Sequence, residues 1–280
     1  MLSAIIVAYR TPAEVAAAVT SLHEQDRAPD EIIVVDNGAP EGAPLFESSP
    51  PNGFRIESAA TNIGFGAGCN VGAHTASGDQ LLVMNADVVF TKDAIERLLA
   101  HLERDPTIAV VGPRIMSDGA VQPSARAFPS LRTGLFGRRS FATRILLRAG
   151  RLPTELRPTK GLAGTVDWVS GACMLIKAEA FREIGGFDED YWMYWEDADL
   201  CRRLTQDGWK VEYEPEAVVH HATGASGTSE RTIRAFHESA ARFAERHIAE
   251  TPFQARFIRG VLRARTALVL RRWARRRHRS

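Results

Sequence analysis

The first 112 residues alternate short apolar runs with segments whose apolar positions recur at helical spacing. Ala4–Ala8, Ile32–Val35, Gln80–Met84 and Ile108–Val111 lack the in-out alternation of a half-exposed strand, so they predict strands covered on both faces. Val15, Val19 and Leu22 share one side of a helix opened by Thr11-Pro12-Ala13-Glu14, a capping box with Pro at the first helical position. Ala67–Thr75 predicts a second helix, stopped near Gly78. Ile95, Leu98, Leu99 and Leu102 predict a third, capped by Thr91. Phe54–Glu57 reads as a short strand, and residues 39–53, rich in Pro, Gly and Ser, as a loop. This β-α-β alternation predicts an α/β fold: a doubly wound, mostly parallel sheet with helices on both faces.

The pattern loosens over residues 113–164, where an amphipathic patch at Leu135–Leu147 interrupts Pro, Gly and Arg. We read this as a connection that shapes a cleft. Regularity resumes with a strand at Val166–Val169, a helix from about Asp197 to Gln206 with Leu200 and Leu204 inward, and strands at Trp209–Tyr213 and Ala217–Val219. Ser226 or Thr228 opens a helical tail. The expected organisation is a catalytic domain over residues 1–226, in halves 1–112 and 113–226, and a tail over 227–280.

Charge changes the picture at the C-terminus. The 280 residues sum to +1, yet residues 251–280 hold ten Arg and no Asp, Glu or Lys. Residues 1–250 therefore carry 25 basic against 34 acidic side chains, a net −9. An acidic body with a basic tail points to a separate partner for the tail. The three cysteines (Cys69, Cys173, Cys201) have no metal-ligand spacing and read as buried, reduced residues, which fits a cytoplasmic protein. Ser3–Ala8 has no basic region before it and no small-residue cleavage site after it, so it reads as a strand and not a signal peptide. No apolar stretch approaches a membrane span of roughly 18 residues.

In open parallel sheets, ligands bind beyond the carboxyl ends of the strands. Asp36 ends the second predicted strand and Asn85-Ala86-Asp87 ends the third. Between them lies Asn62-Ile63-Gly64-Phe65-Gly66-Ala67-Gly68-Cys69-Asn70, whose alternate glycines before a helix suit close approach to a diphosphate. The spacing is neither Gly-x-Gly-x-x-Gly nor a P-loop. Asp87, near a diphosphate, suits a hard divalent cation such as Mg²⁺ or Mn²⁺. The run Tyr191-Trp192-Met193-Tyr194-Trp195-Glu196-Asp197-Ala198-Asp199 places three carboxylates at a helix start, directly after four aromatics. Such carboxylates are costly unless solvated or used, which makes this segment the first place to look for a catalytic base.

These motifs, with Val34-Val35-Asp36-Asn37-Gly38, Gly171-Ala172, Gly185-Gly186-Phe187-Asp188, Arg203, Gly208 and Pro215 through His221, occur in the order seen in family 2 glycosyltransferases. The chain resembles most the bacterial rhamnosyltransferase branch, over about residues 1–226. The resemblance implies a GT-A fold, a nucleotide-diphosphate-sugar donor, a divalent cation and inversion at the anomeric carbon. It implies Asp197 as general base with Glu196 in support. It implies donor contacts from Ala8, Tyr9, Asp36, Asn62, Gly66, Asn70, Asn85, Ala86 and Asp87, with Asp87 and His221 at the metal. Gly171, Trp195 and Asp199 fall on the acceptor side, and His220 is structural or solvated. The usual metal motif has two acids, or Asn-Pro-Asp in this branch; here Asn85 stands first and Ala86 in the middle, leaving Asp87 as the one carboxylate.

Phe253, Phe257, Val261 and Leu268 interleave with Arg256, Arg259, Arg263, Arg265 and the basic cluster 271–279. A basic amphipathic helix fits an anionic membrane surface better than nucleic acid, which the acidic body repels. The expected activity is transfer of L-rhamnose from dTDP-L-rhamnose to a lipid-linked cell-envelope glycan, at the inner face of the membrane. Two readings compete. A sugar nucleotidyltransferase lacks its basic glycine loop here, since Ala8-Tyr9-Arg10-Thr11-Pro12 follows the first strand. A non-enzymatic binding module would rest on the tail alone.

Overall fold

A computed structural model describes residues 1–38, 45, 53–130, 162–222 and 229–277. The amphipathic patch at 135–147 and the helix starts expected at Ser226 or Thr228 lie outside the described residues. Twelve strands and seven helices are described. The first strands are β1 (Leu2–Ala8), β2 (Glu31–Asp36), β3 (Arg55–Ser58), β4 (Gln80–Asn85) and β5 (Val88–Phe90). They are followed by β6 (Ile108–Ser117), β7 (Ala120–Gln122), β8 (Ala125–Arg126), β9 (Gly164–Thr165) and β10 (Trp168–Val169). The last two are β11 (Cys173–Lys177) and β12 (Lys210–His221). The helices are α1 (Pro12–His23), α2 (Phe65–Thr75), α3 (Ala94–Glu103), α4 (Ala178–Glu183), α5 (Glu196–Gln206), α6 (Glu230–His247) and α7 (Pro252–Arg277).

The main sheet runs β3-β2-β1-β4-β11-β6-β12-β5. The pairs β1/β2, β1/β4, β2/β3 and β6/β12 are parallel, whereas β11 runs antiparallel to both its neighbours. The continuous apolar runs have a direct cause in β1. Leu2, Ala4, Ile6 and Ala8 face a core shared with α1 and α3. Ile5 and Val7 face the opposite core, shared with α2, α4 and α5. The chain winds from β1 outward to β3 and returns to β4 on the other side of β1. A crevice therefore opens at the carboxyl ends of β1, β2 and β4.

Several local expectations change. Thr11 makes no cap hydrogen bond, and its hydroxyl is buried without a partner. Pro12 still opens α1, because its missing N–H is not needed there. The Thr91 hydroxyl donates to Val218 O at 2.9 Å and so ties α3 to the sheet; Asp93 holds the N-cap position. The helix expected from Ala67 begins at Phe65, so Gly66 and Gly68 lie inside its first turns. The two strands expected at 209–213 and 217–219 are one, β12, with a bulge between Glu214 and Val218. Pro215, which cannot donate to a ladder, sits in that bulge.

The helical tail is two helices. Ser229 caps α6 through a capping box with Thr232. α6 packs on the body: Phe243 is buried in a cluster with Tyr191, which precedes α5, and Ala198 of α5 itself, a burial worth about 1.5–3 kcal/mol. Residues 248–251 separate α6 from α7, which folds back along it, with Arg259 paired to Glu245. All three cysteines are free and buried, as their spacing predicts. Among the described residues, no helix is long and apolar enough to cross a membrane.

Candidate active site

The crevice gathers residues that lie far apart in sequence. Asp36 ends β2 directly opposite Ala8, and Val7 lies opposite Asn85. Tyr9 is exposed at the mouth. Asp36 is only 2 % exposed. Beyond β4, the turn at Ala86-Asp87 leads into β5. After its bulge β12 takes β5 on its free edge, so His221 stands opposite Val88 and beside Asp87. The register brings His221 Nε2 to 3.2 Å from Asp87 Oδ1 and 3.3 Å from Asn85 Nδ2. His220 points the other way and is exposed.

Whether these residues fit a divalent cation is answered by the histidine. In the tautomer that donates Nδ1–H to Gln122 Oε1, 3.0 Å away, Nε2 is a lone pair. It then accepts a long hydrogen bond from Asn85 Nδ2–H and faces the Asp87 carboxylate at 3.2 Å with no proton between those two. Two acceptors aimed at one point are what a cation would reconcile, and a second-layer hydrogen bond of this kind orients metal-binding histidines generally. Among the described residues no third acidic, His or Cys side chain joins the pair, so the remaining ligands would be water and donor oxygens. Gln122, on the three-residue strand β7, carried no signal in sequence.

Across the crevice lies the start of α5. Tyr194 and Trp195 both hold left-handed backbone (φ 67° and 70°), an uncommon and costly state for bulky residues that clusters at functional sites. The twist turns the chain so that α5 begins at Glu196. Asp197 Oδ2 accepts from Gly171 N–H at 3.0 Å, and Oδ1 from Ala198 N–H at 2.8 Å. Any side chain at Gly171 would meet Asp197 Cβ at 3.3 Å and Phe65 at 3.2 Å. Gly171, expected on the acceptor side, thus serves the carboxylate. Burial raises the pKa of Asp197, and the hydrogen bonds and Arg126 only partly oppose this. Glu196 is more deeply enclosed, with Oε2 buried and unpartnered. Burial, then the charge of Asp197, pushes it well above the usual carboxylate range. Burial thus disfavours charge on both carboxyls of the pair.

Three donor-side expectations and one acceptor-side expectation receive different tasks. A Cβ on Gly64 (φ +99°) would meet Trp192 O at 2.1 Å; one on Gly66 would meet Phe187 Cβ at 3.0 Å. The glycines admit protein and not a ligand. Asn62 accepts from Trp192 Nε1–H through its carbonyl, and Asn70 clasps both the N–H and the carbonyl of Phe187. Asn62, Gly66 and Asn70 thus fasten the glycine loop to the segment that carries the acids. Asn37, also buried, holds Ile63 N–H and Gly64 O from β2. Asp199, expected beside the acceptor, is fully buried. It accepts from Arg203 and from His247 of α6, each at 2.7 Å. Trp195 packs against Phe236 and Phe243 of α6, with its indole N–H buried and unpartnered.

The site is thus a crevice with an Asp-His pair on one wall and a raised-pKa aspartate on the other. The chain has counterparts among known proteins. Residues 3–185 match the model described as "Glycosyl transferase family 2". Residues 163–223 match one described as "N-terminal domain of galactosyltransferase". The chain is 32% identical to N-acetylglucosaminyl-diphospho-decaprenol L-rhamnosyltransferase of Mycobacterium tuberculosis, over 97% of this chain and 93% of that one. It superposes on GalNAc-T7, solved with UDP, GalNAc and Mn²⁺, with a TM-score of 0.63 at 20% identity, covering 88% of this chain and 47% of the other. It superposes on the mannosyltransferase PcManGT from Pyrobaculum calidifontis, solved with GDP-Man and Mn²⁺, with a TM-score of 0.58 at 16% identity, covering 98% and 79%. The fold is GT-A. The chain is a glycosyltransferase and belongs to glycosyl transferase family 2.

Proposed function

We propose that the protein transfers L-rhamnose, with inversion, from dTDP-L-rhamnose to an N-acetylglucosaminyl diphospho-lipid of the cell envelope. The observation that carries this reading is the 32% identity along nearly the whole chain to the mycobacterial rhamnosyltransferase. In this reading Ala8, Tyr9 and Asp36 receive the nucleoside, and Asn85, Ala86 and Asp87 border the diphosphate. Asp87 and His221 hold Mg²⁺ or Mn²⁺. Such a cation, when bound, offsets negative charge on a departing diphosphate. A sugar hydroxyl is a poor nucleophile until a base accepts its proton. Asp197 takes that proton as the acceptor oxygen bonds to the anomeric carbon. The C–O bond to the diphosphate breaks, and the nucleoside diphosphate leaves with the electron pair. On the acceptor side Gly171 holds the base, and Trp195 braces that wall against α6.

The same reading places the enzyme at an anionic membrane surface. At about 100° per residue, Phe253, Phe257, Val261, Ala264 and Leu268 fall within an arc of roughly 80° on α7. Phe253 and Phe257 are 74% and 53% exposed. The opposite face, with Ile258, Leu262, Val269 and Trp273, is half-buried. Arg256, Arg259, Arg263, Arg265 and Arg272 lie between the two faces, and the helix carries no acid. An outward apolar face edged by guanidiniums suits an acidic lipid surface.

Incubation with a panel of nucleotide sugars and a synthetic N-acetylglucosaminyl diphospho-lipid, with and without Mg²⁺ or Mn²⁺, tests the reading. Cation-dependent transfer from dTDP-L-rhamnose alone supports it; transfer from another donor and not this one overturns the sugar. Sedimentation with phosphatidylglycerol vesicles tests the surface. Phe253→Ser/Phe257→Ser is expected to abolish co-sedimentation, and undiminished binding would contradict it.

A further inference from the structure

Outside the crevice, the described residues form a cleft of about 300 Å³ between α6 and the segment that leads into α5. Its walls include Arg231, Arg234 and Arg242 from α6, with Asp190 and Trp192 opposite and Glu238 on the near side. Three guanidiniums and two carboxylates line it, and a third carboxylate, Glu230, pairs with Arg234 from outside. Arg234 is paired with Glu230 at 2.7 Å, and Arg242 with Asp190. Arg231 has no carboxylate partner among the described residues. Its guanidinium lies over the Trp192 ring at 3.8 Å.

A guanidinium stacked on an indole is held in place while its N–H edge stays open, which is the preorganised form of an oxyanion receptor. The cleft is not the donor side. Trp192 stands between the two, with its indole N–H donated to Asn62 of the glycine loop at 3.1 Å. The crevice of Asp36 and Asp87 lies beyond it. The cleft borders Tyr191 through Trp195, the segment that ends on Glu196 and Asp197. Its other wall, α6, continues into α7. α7 folds back along α6 from the Arg259–Glu245 pair, so Leu268 and the later arginines lie toward the end where Arg231 stands, and Phe253 and Phe257 lie at the other end.

We infer that this cleft binds the diphosphate of the lipid-linked acceptor, with Arg231 as its principal contact and Arg234 and Arg242 in support. The inference rests on the acceptor reading above and adds the site where the lipid's anionic link is held. Its sugar would then lie on the Asp197 side and its polyprenyl chain toward α7.

The test measures binding alone, so it stands apart from sugar transfer. Titration calorimetry compares farnesyl diphosphate with farnesol, using the full chain saturated with a nucleoside diphosphate to occupy the donor side. Wild type is expected to bind farnesyl diphosphate at least about tenfold more tightly, the scale of one charged hydrogen-bonded contact. Arg231→Gln should erase that preference, and Arg231→Lys should keep part of it. Arg234→Gln should reduce it less. Equal binding of the two probes by wild type overturns the inference, as does a preference that survives Arg231→Gln. A parallel arm uses phosphatidylglycerol vesicles. Weaker vesicle binding by Arg231→Gln with farnesyl diphosphate binding unchanged would assign the cleft to a membrane headgroup and overturn it too. A wild type that prefers farnesyl diphosphate but transfers no rhamnose would sink the proposed donor and leave the cleft supported.

Discussion

Gly171 N–H donates to Asp197 Oδ2 at 3.0 Å, across 26 residues of chain. This bond holds the carboxylate in place without neutralising it, while burial raises its pKa from an ordinary 3.8. A base must be ionised to accept a proton. Activity is therefore lost as pH falls through the raised value, and the acid limb of kcat/KM should inflect above the ordinary aspartate range. A pH profile with its acid inflection at or below about 3.9 would contradict the assignment.

Glu196 carries a stability signature of opposite sense to a surface acid. Its folded pKa lies well above the ordinary 4.5 because of burial and the charge on Asp197. The folded state thus binds the proton more tightly than the unfolded chain does. Stability is full below about 4.5 and declines as pH rises from there toward the raised folded value. Glu196→Gln removes that titration. Its melting temperature should equal or exceed that of wild type at neutral pH, and the decline should flatten. A variant less stable than wild type at pH 7, with the same slope, would sink this account.

Asp199 behaves in the opposite way. Burial disfavours its charge, but hydrogen bonds from His247 and Arg203 outweigh this and hold its pKa below the ordinary value. Its contribution is present above the unfolded pKa and is lost as pH falls through the lowered folded one. Arg203 also donates to Ile184 O and Gly186 O, so Asp199 joins the catalytic helix α5 to the glycine turn and to α6. Asp199→Ala should cost about 3–5 kcal/mol in urea denaturation at pH 7. A cost under 1 kcal/mol would mean that the latch is slack.

Gln122 is expected to act on the cation through His221. Gln122→Ala frees the ring and should weaken Mn²⁺ affinity by about 10–100-fold, measured by titration of cation-dependent activity and by direct Mn²⁺ binding. Unchanged binding would mean that His221 is not held for a metal.

Much of this site is legible along the chain, and the part that is not has a physical reason. Continuous apolar runs mark strands buried on both faces, and their carboxyl ends place Asp36 and Asp87 at one edge. The acids after the aromatic run mark α5. The glycine loop misleads because a missing side chain signals close approach without saying of what: Gly64 makes room for Trp192 O, and Gly66 for Phe187. Asp199 looks equivalent to Asp197 in sequence. Two residues on, about 200° around the helix, it turns from the crevice toward His247 of α6, a contact 48 residues away. The α6 helix looks like tail because its apolar face is read without the Tyr191 and Ala198 it covers. Gln122 reaches His221 only through the pairing of β7 with β6 and of β6 with β12.

The most direct measurement is single-turnover transfer by Asp197→Asn from dTDP-L-rhamnose to the diphospho-lipid acceptor, alongside the Kd of the same protein for dTDP. Loss of a positioned base predicts a rate lower by about 10²–10⁴-fold with dTDP bound as tightly as by wild type. A rate within a few-fold of wild type would contradict the account at its centre.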